Sequence, residues 1–158
     1  MFREVARKKQ ALSREACIQI LQEAPRGVLS VLGDDGYPYG MPLNHWYCPE
    51  DGRLYFHSGK TGHKMDALAR CNKASYCVMD AGEKREGDWA LYFRSVIAFG
   101  TVHMITDYET IIAISRRLSL KFTQDLAYIE DEISRSGPRT AMFALEIEHL
   151  TGKLVHEK

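Results

Sequence analysis

The segment Phe56-His57-Ser58-Gly59-Lys60-Thr61-Gly62-His63-Lys64 gathers the densest set of chemically useful side chains in the protein. It offers two histidines, two lysines, two hydroxyls and two glycines. Glycines leave backbone N–H groups open to a ligand, and a helix starting near His63 would add its positive N-terminal dipole. Such a segment suits an anion, a phosphate above all. The spacing is not that of a Walker loop, and no G-x-G-x-x-G occurs. By composition alone, a solvated polar loop is the more common outcome. A second cluster is aromatic: Tyr37, Tyr39, Trp46, Tyr47, Tyr55 and Phe56. Barrel core is the ordinary fate of such residues. The sharper reading is a flat pocket wall beside the anion loop, suited to a ligand with a planar ring and a phosphate tail.

The other candidates are weaker. His45 sits among aromatics on an expected strand, where a histidine is usually packed and hydrogen-bonded; it is a proton-donor candidate only if it lines a pocket. The histidines form no H-E-x-x-H or similar cluster, so no metal site is expected. Cys17, Cys48, Cys71 and Cys77 are scattered without a C-x-x-C pair and read as reduced structural thiols. There is no G-x-S-x-G elbow.

The elements that must position these groups read as follows. Ser13 caps a first helix whose apolar stripe is Ala16, Cys17, Ile20, Leu21 and Ala24, stopped by Pro25 and Gly27. Gly27 to Leu32 is a strand, and Gly33-Asp34-Asp35-Gly36 turns it. Tyr37 to Cys48 reads as one longer strand with Tyr39, Met41, Leu43, His45 and Tyr47 on one face. Pro38 and Pro42 make it an edge or bulged strand. After a turn at Pro49–Gly52, Arg53 to His57 is a third strand. A short helix from His63 to Arg70 turns Met65, Leu68 and Ala69 inward. Ala74 to Asp80 is a strand, Ala81 to Asp88 a loop, and Trp89 to Ile105 either two strands or one bent strand. Gly100 marks a bulge or a close backbone approach. Asp107 caps a helix with the stripe Tyr108, Ile111, Ile112, Ser115, Leu118 and Phe122. Another helix uses Leu126, Ile129 and Ile133 and stops at Gly137-Pro138. The last strand alternates Ala141, Phe143, Leu145 and Ile147 against Met142, Ala144, Glu146 and Glu148, with Thr151-Gly152-Lys153 as a turn.

The sum is six or seven strands and three or four helices, without regular strand–helix alternation. A doubly wound parallel sheet is excluded in favour of a small antiparallel barrel with helices outside, mainly β with peripheral helices. The 158 residues suffice for one domain, with 1–12 as an N-terminal arm and 153–158 as a C-terminal tail. Hydrophobic residues make up 45% and charged residues 27%, an ordinary folded balance. Lys plus Arg and Asp plus Glu each number 21, so no strong field favours nucleic acid or an anionic membrane. No apolar run would span a bilayer, and the basic N-terminus has no apolar stretch behind it, so a cytoplasmic protein is expected.

An ordered set of motifs adds a resemblance. Gly33-Asp34-Asp35-Gly36-Tyr37-Pro38-Tyr39, Pro42-Leu43-Asn44, Tyr55-Phe56-His57-Ser58 and Gly62-His63-Lys64-Met65-Asp66-Ala67-Leu68 resemble the pyridoxamine 5′-phosphate oxidase-like flavoproteins, and more narrowly the 5-nitroimidazole resistance branch. Arg94-Ser95-Val96-Ile97-Ala98-Phe99-Gly100, Leu145-Glu146-Ile147 and Thr151-Gly152-Lys153 continue the likeness, which covers residues 1 to 155. The resemblance implies an antiparallel split β-barrel binding FMN as a homodimer, with two cofactor sites at the subunit interface. Met41, Pro42, Leu43 and Asn44 would lie along the isoalloxazine ring, largely through backbone groups. His57, Ser58, His63 and Lys64 would hold the ribityl phosphate, Lys64 as a point charge and His63 as a second donor, with Phe56 beside them among the cofactor-binding residues. Arg94 and Ser95 would reach the partner subunit's cofactor.

The chain also departs from the vitamin B6 oxidase. Its second strand carries Tyr39, Met41, Leu43 and Asn44 instead of basic residues, and Ser95 stands where the oxidase has Gln. Its C-terminal strand ends in His156-Glu157-Lys158, without the oxidase's Trp and Arg. The resemblance therefore points away from vitamin B6 oxidation. The leading expectation is an FMN-dependent oxidoreductase passing electrons to a nitroaromatic or related small-molecule acceptor, with His45 as a weak candidate for protonating the substrate. The alternative is a non-catalytic flavin or haem carrier of the same fold. A nucleic-acid-binding barrel is the least favoured.

Overall fold

The structure, a computed structural model, describes residues 1–156. Glu157 and Lys158, the end of the expected tail, lie outside the described residues. Helix α1, Arg14–Glu23, starts where Ser13 Oγ accepts the Ala16 N–H at 3.2 Å and buries Cys17, Ile20 and Leu21. Strands β1 (Arg26–Leu32) and β2 (Pro38–Asn44) form an antiparallel hairpin around a turn in which Asp35 and Gly36 take positive φ. β2 ends one edge of the sheet, where Pro38 and Pro42 need no ladder donor.

The strand expected from Tyr37 to Cys48 is broken at His45, and Trp46–Tyr47 form a separate strand, β3. β3 pairs with β4, Leu54–Gly59. Helix α2 is His63–Arg70, followed by β5 (Lys73–Met79), the two-residue β6 (Glu83–Lys84), inside the segment expected to be loop, and β7 (Leu91–Ile105). Helices α3 (Tyr108–Leu120) and α4 (Leu126–Ser136) precede β8, Thr140–Val155.

The sheet has eight strands, in the order β2-β1-β5-β7-β8-β4-β3, with β6 appended to β7. β2 and β3 are separated in sequence by His45 alone, yet they end opposite edges of that order. The sheet must therefore curl until its edges approach, which makes a mainly antiparallel half-barrel with peripheral helices. β7 is a single bent strand, irregular between Phe99 and Gly100, and any side chain at Gly100 would collide with the Glu146 carbonyl oxygen.

Two apolar layers result. Leu29, Phe56, Tyr76, Val96, Phe143 and Leu145 fill the barrel with residues of α1 and α2, while Tyr55, Ile111, Ile114, Met142 and Ala144 pack under α3. Residues 141–145 of β8 are buried on both faces because the two layers share that strand. Several facial expectations shift accordingly. Ala67 replaces Ala69 on the inner side of α2, and Ile114 replaces Ile112 on α3. Tyr108, Phe122 and Leu126 are exposed. Thr151–Lys153 does not turn: β8 continues through it, so residues 153–155 of the expected tail are strand.

Among the described residues, His45 is the one buried side chain classed as polar or charged. Its Nε2–H donates to Leu21 O at 2.6 Å, an orphan carbonyl near the end of α1. Its Nδ1 lies 2.8 Å from the Tyr76 hydroxyl, which is also 2.7 Å from Leu43 O. The Tyr76 ring crosses β1 at Gly27, where a Cβ would sit 2.8 Å from Tyr76 Cζ. Lys121 Nζ, just past α3, donates to Ala24 O at 2.6 Å and His45 O at 3.0 Å. Burial first, then the Lys121 charge, push the His45 imidazole down to about 4. Burial lowers the Lys121 ammonium to about 8.

The unfolded chain takes up the His45 proton near 6.5, its ordinary value, and the folded chain only near 4. Between those values the unfolded state holds more protons, so stability falls as pH falls through that window, by roughly 3 kcal/mol from this group. Urea unfolding at pH 7 and pH 4.5 should show this loss, and His45→Gln should flatten the pH dependence while lowering stability at pH 7.

Candidate functional site

The hairpin register places Arg26 opposite Asn44 and Val28 opposite Pro42. At this end of β2, Pro42, Leu43 and Asn44 line a groove of about 300 Å³ together with Arg26 and His57. The structure thus brings together four of the expected residues, from β2 and β4, beside a free sheet edge. Met41 also belongs to β2, but its side chain is in the barrel core, so any ligand contact would use its backbone.

His57 faces outward because β4 alternates. Phe56 points into the barrel, stacked on Phe143 at 5.3 Å and edge-on to Tyr76 at 4.9 Å. Phe56 is fully buried and cannot touch a ligand with its ring, which corrects its expected place in the site. The aromatic cluster divides: Tyr47 and Tyr55 are buried with Phe56, Tyr39 and Trp46 are half-buried, and Tyr37 is exposed.

At the start of α2, Gly62 has a φ of 115° and supplies no capping side chain; the Met65 N–H donates to Gly62 O at 2.9 Å, which leaves the His63 and Lys64 N–H groups for an anion. Lys64 is half-buried, and its ammonium has no hydrogen-bond or ion-pair partner among the described residues. Burial lowers its pKa. Its charge is close enough to depress His57, second to the desolvation of that ring. An unpaired, half-buried cation beside an uncapped helix start is a fit for a phosphate. The hydroxyl of Ser58, half-buried near the end of β4, likewise has no hydrogen-bond partner among the described residues. The His63 ring departs from its expected role. It stacks on Tyr39 at 4.0 Å and lies 3.4 Å from the Asp34 carboxylate, which Arg70 also holds at 2.6 Å. What His63 can offer an anion is its backbone N–H.

Arg94 and Ser95 lie on β7, away from the groove. Arg94 Nε donates to Asp80 at 2.7 Å, and its N–H donates to the same carboxylate at 2.9 Å. Burial pushes the Asp80 carboxyl up, but these bonds overcome it and leave its pKa below the ordinary range. Arg94 and Asp80 line a second hollow of about 580 Å³ with Val28, Pro42, Cys77 and Met79. Pro42 and Arg26 line both hollows.

His45 lines neither hollow. It is fully buried with both ring nitrogens engaged, so its candidacy as a proton donor to substrate is withdrawn. Cys48 is also structural: burial first, then the neighbouring Glu50, push its thiol up to about 11. Among the described residues, no group of three His, Cys, Asp or Glu could hold a metal ion, and no helix is long and apolar enough to cross a membrane.

Arg26 and Asp80 are the site residues the sequence reading missed. A signal for Arg26 existed: equal steps out from Asp35 in the turn pair residue 26 with residue 44. Asp80 had none, because its role depends on the β5–β7 pairing, which is long-range.

Comparison with solved structures supports the fold. A candidate 5-nitroimidazole antibiotic resistance protein from Bacteroides thetaiotaomicron superposes with a TM-score of 0.77 at 19% identity, over 94% of this chain and 90% of that one. A FAD-binding protein from Mesorhizobium loti gives 0.65 at 22% identity, over 92% and 97%. A FAD- and heme-binding protein from Mycobacterium smegmatis gives 0.72 at 21% identity, over 92% and 73%. At these identities the likeness shows the fold alone. Curated protein sequences return no match. The family model described as pyridoxamine 5′-phosphate oxidase matches residues 13–154. With nearly the whole barrel inside that match, the chain belongs to the pyridoxamine 5′-phosphate oxidase family, whose fold is the flavin-binding split barrel.

Proposed function

We propose that this protein is an FMN-dependent oxidoreductase that reduces a nitroaromatic or related small acceptor. One observation carries the reading most directly: the unpaired, half-buried Lys64 at the uncapped start of α2, close to His57 and the groove along β2. Flavin-binding relatives of the same fold support it.

In this reading the Lys64 ammonium and the backbone N–H groups of His63 and Lys64 bind the phosphate. The edge of β2 at Pro42–Asn44 orients the ring. Arg26 and Asn44, facing each other at the end of the hairpin, offer donors to the polar edge of the ring, where negative charge develops on reduction. FMN would supply two-electron chemistry, turning a nitro group, two electrons and two protons into a nitroso group and water. The electrons come from an external two-electron donor.

The active unit in this proposal is a homodimer. Val28, Cys77 and Ile97 line up across β1, β5 and β7, and Val28, Ile97 and the neighbouring Met79 are exposed apolar side chains. Arg94 lines the hollow beside them, so a second copy seated there would bring Arg94 to its partner's groove.

Purified protein loaded with FMN and washed should retain flavin absorbance bands. Under anaerobic conditions, the reduced protein should be reoxidised by a nitroimidazole faster than free reduced FMN. No acceleration would leave a flavin carrier, and a haem band in place of flavin would replace the cofactor. Lys64→Ala should weaken FMN binding by about tenfold or more, as expected for losing a charge-assisted hydrogen bond; equal affinity in a titration would put the phosphate elsewhere. Ile97→Glu should shift the sedimentation coefficient to that of a monomer and weaken FMN retention, and an unshifted dimer would move the interface to another face.

A further inference from the structure

We infer that the open cavity between α3, α4 and the start of β8 is the acceptor-binding pocket, and that it selects neutral, one-ring aromatic acceptors against anionic ones. The cavity measures about 330 Å³. It shares two lining residues, Asn44 and His57, with the groove along β2, so a molecule inside it abuts the place assigned to the flavin ring. The inference rests on that flavin reading for its catalytic meaning. The cavity itself is built by this chain alone.

Its walls set the chemistry. Leu118, Ile129 and Met142 make the base apolar, and Phe122 and Tyr128, both exposed at the rim, offer flat faces to a ring. Ser115 and Ser119, one turn apart on α3, line the cavity with hydroxyls that have no hydrogen-bond partner among the described residues. They can donate to the oxygens of a nitro or carbonyl group. The charge inventory excludes an anion. Among the described residues, Glu132 is the one carboxylate in the lining, and no Lys or Arg lines it. Arg135, exposed, binds one Glu132 oxygen at 2.7 Å but does not line the cavity. His57 is the one possible cation in the lining, and its lowered pKa keeps it neutral at pH 7. A carboxylate or phosphate drawn into this space would lose its hydration without gaining a counter-charge and would face Glu132. A neutral nitroaromatic or quinone meets no such penalty.

The test compares para-nitrobenzyl alcohol with para-nitrobenzoate, which share a ring and a nitro group and differ in charge. Titration calorimetry on the oxidised protein, with and without FMN, should show the alcohol binding about tenfold or more tightly than the carboxylate. Ser119→Phe, filling the cavity from the partly exposed face of α3, should cost the alcohol about tenfold while leaving FMN affinity unchanged. Ser119→Arg should raise affinity for the carboxylate and reverse the preference, with the thermal melt confirming the fold. Equal wild-type affinities, or alcohol binding indifferent to Ser119→Phe, would overturn the inference. Failure to retain FMN is read before any acceptor is added and overturns only the flavin reading, since the charge preference of the cavity remains measurable on the flavin-free protein.

Discussion

The half-barrel depends on how the chain passes His45. At that residue the backbone leaves one edge of the sheet and begins the other. A polar side chain at such a crossing must be satisfied internally or it would cost more than the crossing gains. His45 meets the requirement in its neutral form. One nitrogen donates to the end of α1, the other faces Tyr76, and Lys121 covers the adjoining carbonyls. An apolar residue of the same size would leave the carbonyl oxygen of Leu21 without its partner, so the histidine answers a backbone demand that the strand pattern alone does not reveal.

The same contacts set the candidate site. Tyr76 reaches Leu43 O because Gly27 leaves room above β1, and this ties the end of β2 to the barrel interior. Lys121 ties the C-terminal end of α3 to the same place. The groove along β2 and the wall of the α3–α4 cavity are thereby held to one another through partly buried hydrogen bonds rather than through a surface loop. Sites held in this way keep their geometry without a ligand, which lowers the ordering cost of binding. Lys121 also carries the energetic cost of the arrangement: its ammonium is partly desolvated, which is why its pKa falls towards 8.

The legible part of the fold was the local part. The Ser13 and Asp107 caps, the Asp-Gly turn, the prolines of an edge strand and the bulge at Gly100 each announce themselves within a few residues, and each is where the spacing put it. The failures are tertiary. His45 looks like one more alternate residue of a strand, because period-two patterning has no means to show that a strand stops where a side chain must bond inward. Phe56 and His57 were read together as site residues, although adjacent strand positions face opposite sides. Both faces of residues 141–145 are buried because two cores share β8, and a pattern reading assumes one. In the site, the strand-to-helix segment around Lys64 was visible from residue type, whereas the turning of His63 towards Tyr39 and Asp34 depends on a neighbour almost thirty residues away.

The distribution of charge argues for a division of labour within a chain of zero net charge. The unpaired cation sits beside the helix start that would take a phosphate, and the Arg94 guanidinium is held in place by Asp80. The α3–α4 cavity, sharing Asn44 and His57 with the groove, has no lysine or arginine in its lining. His57 stands at the boundary, and its protonation is opposed by desolvation and by the Lys64 charge. A phosphate seated near Lys64 would offset that opposing charge, while desolvation, the larger of the two causes, would still favour the neutral imidazole that the cavity's charge preference requires.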